Sequence, residues 1–158
     1  MATWQCDFLL LPKPKLILIF GSIPQELEID SLLDINWWEG YQPPKDYDKV
    51  ISSFLVQHRS WDNDLKTWGH EDGNRVDVWL SQYGVQEVLF RIDVREIDLG
   101  LIEDINDFAR FCNGVFLSSS NKLFEPNIKN FLTEVRTSRA CRFVENPSEF
   151  LDDISRNH

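Results

Sequence analysis

Two stretches of strict alternation, residues 75 to 82 and 86 to 95, constrain this chain more than any other feature. Val76, Val78 and Leu80 alternate with Arg75, Asp77, Trp79 and Ser81, and Val88, Phe90, Ile92 and Val94 alternate with Glu87, Leu89, Arg91, Asp93 and Arg95. A period of two over that length specifies strands with one apolar and one polar face, and their closeness in sequence makes them a hairpin. A two-residue loop at Tyr83-Gly84 sets Leu80 opposite Glu87 and splits the apolar sets between faces, which a half-buried sheet cannot accept. A five-residue loop aligns the faces but opposes Asp77 to Asp93 and Arg75 to Arg95. A three-residue loop at Tyr83-Gly84-Val85 pairs Asp77 with Arg91 and Arg75 with Asp93, and opposite charges favour it by about 0.2 to 1 kcal/mol per pair. Trp79 then lies on the charged face, beside Asp77 and opposite Leu89.

The flanking elements are read around this hairpin. Residues 4 to 11 and 15 to 20 are apolar runs separated by Pro12-Lys13-Pro14 and read as two short strands. Between them and Pro43-Pro44 only a weak pattern survives, at Leu27, Ile29, Leu32, Leu33 and Ile35. Tyr47, Val50, Ile51, Phe54 and Leu55 recur on one helical face, with Asp46 as N-cap, for about three turns. Residues 68 to 74 carry turn chemistry. Asp98 caps a helix buried through Leu101, Ile102, Ile105, Phe108, Ala109 and Cys112, and Gly114 stands where a left-handed stop is expected. A strand at 115 to 118, a second at 122 to 125 and a helix starting at Pro126 follow, the helix burying Ile128, Phe131, Leu132 and Val135. Asn146-Pro-Ser-Glu149 reads as a capping box ahead of Phe150, Leu151 and Ile154. This order predicts one α+β domain over residues 1 to 158, a two-layer sandwich of mainly antiparallel sheet with helices on one face; the competing layout is a bent sheet wrapped around one helix.

Charge narrows the partners. The formal charge is −10, and residues 61 to 110 hold 12 acidic against 5 basic residues, seven of the ten excess negative charges. Nucleic acid and anionic membranes demand a basic footprint and are disfavoured. The start of the chain lacks a basic signal-like segment, no stretch reaches the roughly 18 apolar residues of a spanning helix, and Cys6, Cys112 and Cys141 follow no paired spacing. A cytoplasmic protein with reduced thiols, and with no metal or cofactor, is the expectation.

Candidate sites are then weighed by chemistry. Asp62, Asp64, His70, Glu71, Asp72 and Asp77 resemble hard-ion ligands, but residues 62 to 68 fail the calcium-loop pattern after its third position. A nucleophilic cysteine needs an electropositive, accessible setting; Cys112 and Cys6 fall on apolar faces, and only Cys141, near Arg139 and Arg142, has suitable neighbours. Arginine forks at Arg91, Arg95 and Arg75 and at Arg136, Arg139 and Arg142, every third residue, suit carboxylate or phosphate recognition, but cross-strand ion pairing accounts for the hairpin group, and the arginines are not carried as a site. Aromatic residues are the better candidates for contact: Trp37, Trp38 and Tyr41 before Pro43, then Trp61 and Trp68 around Asp62 and Asp64, with Asp72 and Trp79 close by. In an extended segment Trp37 and Trp38 cannot both point inward, which leaves one at a surface or groove.

With no catalytic motif, the leading expectation is an acidic, aromatic-studded module that binds a basic protein partner, immunity- or adaptor-like. The alternatives are a small-molecule binder or enzyme with a cleft of Trp residues, Asp62, Asp64, His70 and Asp72, and a structural subunit of a homo-oligomer.

Overall fold

A computed structural model describes residues 2–28, 30 and 34–156, which build a seven-stranded antiparallel sheet and a set of helices. The strands are β1 (Gln5–Pro12), β2 (Gln57–His58), β3 (Leu65–Gly69), β4 (Arg75–Ser81), β5 (Gly84–Asp93), β6 (Gly114–Ser118) and β7 (Leu123–Phe124). Their spatial order is β2-β3-β4-β5-β1-β6-β7, so the first strand of the chain lies inside the sheet, between β5 and β6. The helices are α1 (Lys13–Phe20), α2 (Tyr47–Ser52), α3 (Leu99–Phe111), α4 (Ile128–Arg136), α5 (Arg139–Glu145) and α6 (Pro147–Arg156).

Alternation along the strands creates a first face of Cys6, Phe8, Leu10, Trp68, Val76, Val78, Val88, Phe90, Ile92 and Phe116, all buried. Helices cover it. Phe131 of α4 lies 4.4 Å from the Phe8 ring and 5.2 Å from Phe116, and Phe108 of α3 lies 6.0 Å from Phe90. At the β3 end, Trp68 donates its indole N–H to Ser52 of α2 at 2.9 Å. The expected α+β architecture, a mainly antiparallel sheet with helices on one face, is the observed one. Capping agrees with the sequence at two helices: Asp98 accepts from Leu101 N at 3.1 Å, and Asn146 accepts from Glu149 N at 3.3 Å while donating to that residue's carboxylate. Each such cap contributes about 1 kcal/mol. The side chains of Phe150, Leu151 and Ile154, like residues Ile29, Leu32 and Leu33, lie outside the described set.

Several local expectations are corrected. Residues 15 to 20 are helix, not strand: Pro14 presets the first turn of α1, and Gly21, at φ +78°, closes it with its N–H on Ile17 O. Only Leu16 of α1 is buried, and Ile17, Leu18, Ile19 and Phe20 are exposed. Asp46 makes no side-chain cap, and α2 stops at Ser52. Leu65–Gly69, read partly as turn, is strand β3, so Trp68 is core. The left-handed residue after α3 is Asn113 at φ 52°. Gly114 instead opens β6, where a Cβ would come within 2.7 Å of the Leu10 side chain. Helix α4 starts two residues after Pro126, capped by Asn127.

The hairpin register also differs. The turn is Gln82-Tyr83, with Ser81 opposite Gly84 and Leu80 opposite Val85; the register then shifts between Trp79 and Leu80, so that Trp79 faces Glu87, Asp77 faces Leu89 and Arg75 faces Arg91. Two arginines oppose each other because neither relies on the other strand for its partner. Arg75 bonds Asp77 on its own strand at 2.7 Å, and Arg91 sits 3.4 Å from Asp7, directly opposite on β1. Pairing charges within the hairpin alone left out the third strand.

Candidate functional site

The second face of the sheet is where the polar halves of the strand patterns meet. It carries Asp7 and Leu9 from β1, Thr67 from β3, Arg75, Asp77 and Trp79 from β4, and Glu87, Leu89 and Arg91 from β5. Part of it is roofed by the turn at residues 37 to 40, which two side chains fasten to the sheet. Trp38 donates its indole N–H to Leu10 O at 3.2 Å, and Gln42 accepts from Val85 N at 2.6 Å while donating to Val85 O at 3.0 Å and to Trp38 O at 2.7 Å. Gly84 makes room for this clamp: a Cβ there, at φ +109°, would lie 2.3 Å from Gln42 Oε1.

Beneath the roof is a cavity of about 340 Å³ whose lining includes Leu9, Leu11, Ile35, Trp37, Trp38 and Glu87. Charge on this face is uneven. Asp77 is met by Arg75 and by the Thr67 hydroxyl at 2.8 Å, and Asp7 by Arg91. Glu87 makes no hydrogen bond or ion pair with any described residue. Three carboxylates therefore share two guanidiniums.

Of the aromatic candidates, Trp61 and Trp79 meet edge to face at 5.7 Å on the open side of this face, with Trp61 78% exposed. Trp37 and Trp38 are both buried, at 5% and 1% exposure, because residues 37 to 40 turn rather than extend; the expected division between core and surface is corrected. Trp68 is buried in the first-face core. Tyr41 is half-buried under the Lys15 ammonium, 5.7 Å from its ring. Asp62 forms a local turn by accepting from Asp64 N at 2.8 Å. Asp72 lies beyond the other end of β3, its carbonyl accepting from Trp4 Nε1 and from Arg95. Five strand residues, about 17 Å at 3.3 Å each, separate the two acidic turns, so Asp62, Asp64, His70 and Asp72 line no common cleft. Among the described residues no cluster of three or more His, Cys, Asp or Glu could hold a metal. Glu87 and Gln42 escaped the sequence reading; the signal for Glu87 was its place on the charged face, but Gln42 had none.

Comparison with protein-family models, with curated proteins and with solved structures returned no match. The chemistry available to the site therefore follows from its own groups. Burial pushes the Glu87 carboxyl above its usual value, and Asp77 and Asp7 add to the rise while Arg91 opposes it. Burial likewise raises Asp7 against the opposing pull of Arg91. The thiols are held toward the protonated form by the same physics: burial lifts Cys6 to about 11 and Cys112 to about 12, and Cys141 is raised by burial and by the neighbouring Glu145. Among the described residues no helix is long and apolar enough to cross a membrane.

Because the folded protein holds the Glu87 proton more tightly than the unfolded chain, ionisation of this group lowers stability as pH rises through its raised value. Glu87→Gln is expected to match the parent at acid pH, to gain on it as pH rises from the ordinary carboxylate value through the raised one, and to hold a constant advantage above that. Urea unfolding of both proteins between about pH 4 and pH 8 checks this, and a gap that stays constant with pH would refute the assignment.

Proposed function

We propose that this chain is a small cytoplasmic binding module, immunity- or adaptor-like, that receives a basic protein partner on the second face of its sheet. The observation that carries the reading is the surplus carboxylate of Glu87 on a partly roofed face, beside the exposed Trp61 and the half-buried Trp79 that it meets edge to face. A partly desolvated anion that no cation pairs with directly is relieved by a cationic partner, while a rigid aromatic pair supplies contact area at low entropic cost. The net charge of −10 favours a basic protein over nucleic acid, and free cysteines suit a reducing compartment. The acidic surplus extends around the molecule, onto the outer side of α3 through Glu103, Asp104 and Asp107, and its role is to accelerate encounter.

Pull-down from the source lysate at about 50 mM and about 500 mM salt is the test, run with the parent chain and with a Trp61→Ala, Trp79→Ala double variant. The expected result is a basic protein retained at low salt, lost at high salt, and lost from the variant. A partner indifferent to salt and to both tryptophans would overturn the reading. A second reading, a small-molecule binder, draws on a cavity of about 450 Å³ where β6 ends, rich in the hydroxyls of Ser118, Ser119, Ser120, Thr137 and Ser138. The third, a homo-oligomer, predicts a dimer by light scattering that the double variant converts to monomer.

A further inference from the structure

The cavity of about 340 Å³ under the Trp37-Trp38 turn has a specific chemistry. It lies at the small end of ligand cavities, about 300 to 1,000 Å³, a volume suited to one long side chain rather than a whole cofactor. Its walls are apolar and aromatic, from Leu9, Leu11, Ile35, Trp37 and Trp38, and Glu87 is its one carboxylate. Two lining residues each keep a polar group without a partner. The half-buried Glu87 carboxylate takes no hydrogen bond from any described residue, and the Trp37 indole N–H is buried with no acceptor. Neither group is left so by a flexible surround, because Trp38 and Gln42 hold the roof to β1 and β5.

We propose that this cavity receives the side chain of one lysine or arginine of the basic partner, its cationic head on Glu87 and its aliphatic stem along Leu9 and the two tryptophans. The inference rests on the binding-module reading above and names the anchor. A basic residue within a polypeptide brings what the cavity lacks: a cation for Glu87, and a main-chain carbonyl able to accept from an indole N–H. The surrounding charges favour a cation as well. Arg75 and Arg91 are engaged by Asp77 and Asp7, so the surplus on this face is negative. An aliphatic stem against Leu9 and Leu11, with a cation near indole faces, is the arrangement that long basic side chains adopt when they bury their methylenes. A fixed roof and strand floor mean little ordering is required on entry.

The probe is a single blocked residue, so the cavity is read without the partner. N-acetyl-arginine methylamide and N-acetyl-lysine methylamide are titrated into the whole chain while the tryptophan indole N–H resonances are followed by NMR. N-acetyl-norleucine methylamide serves as the uncharged isostere. The expected result is a saturable shift of the Trp37 indole resonance with both cationic probes, with Kd on the order of 10 mM. Glu87→Gln is expected to weaken it at least about fivefold, as befits loss of one charge-assisted contact. The exposed-carboxylate control Glu71→Gln leaves it unchanged. Glu87→Gln keeps the shape and removes a desolvated charge, and its unchanged spectral dispersion verifies the fold. A shift of equal size with the norleucine probe, persistence in Glu87→Gln, or no shift up to about 100 mM probe overturns the proposal. A salt-sensitive partner in pull-down with no probe binding would sink the anchor and spare the module, whereas probe binding with no partner would do the reverse.

Discussion

Phe131→Ala is expected to lower the unfolding free energy by about 3 to 5 kcal/mol, the largest effect of any single truncation considered for this chain. Phe131 is fully buried on the inner side of α4 and touches three other rings, Phe8 at 4.4 Å, Phe116 at 5.2 Å and Phe124 at 6.1 Å. Those rings belong to β1, β6 and β7, so the side chain joins the helical layer to three strands at once. Its removal loses the transfer term of a whole phenyl group, the ring contacts and the filling of a space that strands cannot collapse to close. Against a total stability of about 5 to 15 kcal/mol for a domain, the melting temperature falls by about 10 °C or more. Phe20→Ala provides the contrast. Phe20 is exposed on α1, and its loss is expected to change stability by no more than about 0.5 kcal/mol. Urea titration of the three proteins measures both, and a loss below about 1 kcal/mol for Phe131→Ala would show that α4 does not fasten the sheet.

Asp77→Ala is expected to cost about 3 kcal/mol, through a different mechanism. The Arg75 and Asp77 side chains are only 13% and 7% exposed, and Asp77 Oδ1 takes hydrogen bonds from both Arg75 and Thr67. Truncating the carboxylate leaves a largely buried guanidinium on a sheet face with no counter-ion, and strands the Thr67 hydroxyl. The informative companion is the double variant Arg75→Met, Asp77→Val. Removing both charges together is expected to return stability to within about 1 kcal/mol of the parent, because the pair compensates its own desolvation rather than adding net stability. Denaturant melts of the single and double variants complete the cycle. Equal destabilisation by the single and the double changes would mean that the pair itself holds β4 in place.

The elements that the sequence made legible are those whose signals are local. Asp98 before an apolar face and Asn146-Pro before Glu149 each cap the predicted helix, because capping involves residues three apart. The alternation from Val76 to Ile92 likewise survived as β4 and β5 with its faces intact. What was not legible depended on distant chain. Residues 15 to 20 have the composition of a strand, yet the neighbours of β1 are supplied by β5 and β6, and the segment that follows Pro12 folds on itself. The hairpin register failed for the same reason, since Asp7 supplies the charge that Arg91 needs from a position more than eighty residues away. Of the expected contact residues, exposed Trp61 and half-buried Trp79 pair edge to face, and Trp37 and Trp38 became roof and wall instead. Gln42 was invisible because an amide that clamps two segments looks like any polar residue in a loop.

The interior place of β1 has a consequence for how the molecule comes into being. Residues 5 to 12 are synthesised well before their partners at 88 to 93 and 114 to 118. At about 5 to 20 residues per second, the first strand waits for several seconds, apolar and unpaired, before either neighbour exists. Sheet closure is thus a late, long-range event with a large loop to be ordered, the kind of topology that folds slowly. During that interval Phe8, Leu10 and Leu11, buried in the finished sheet, lie beside the apolar run of α1 without the strands that will cover them.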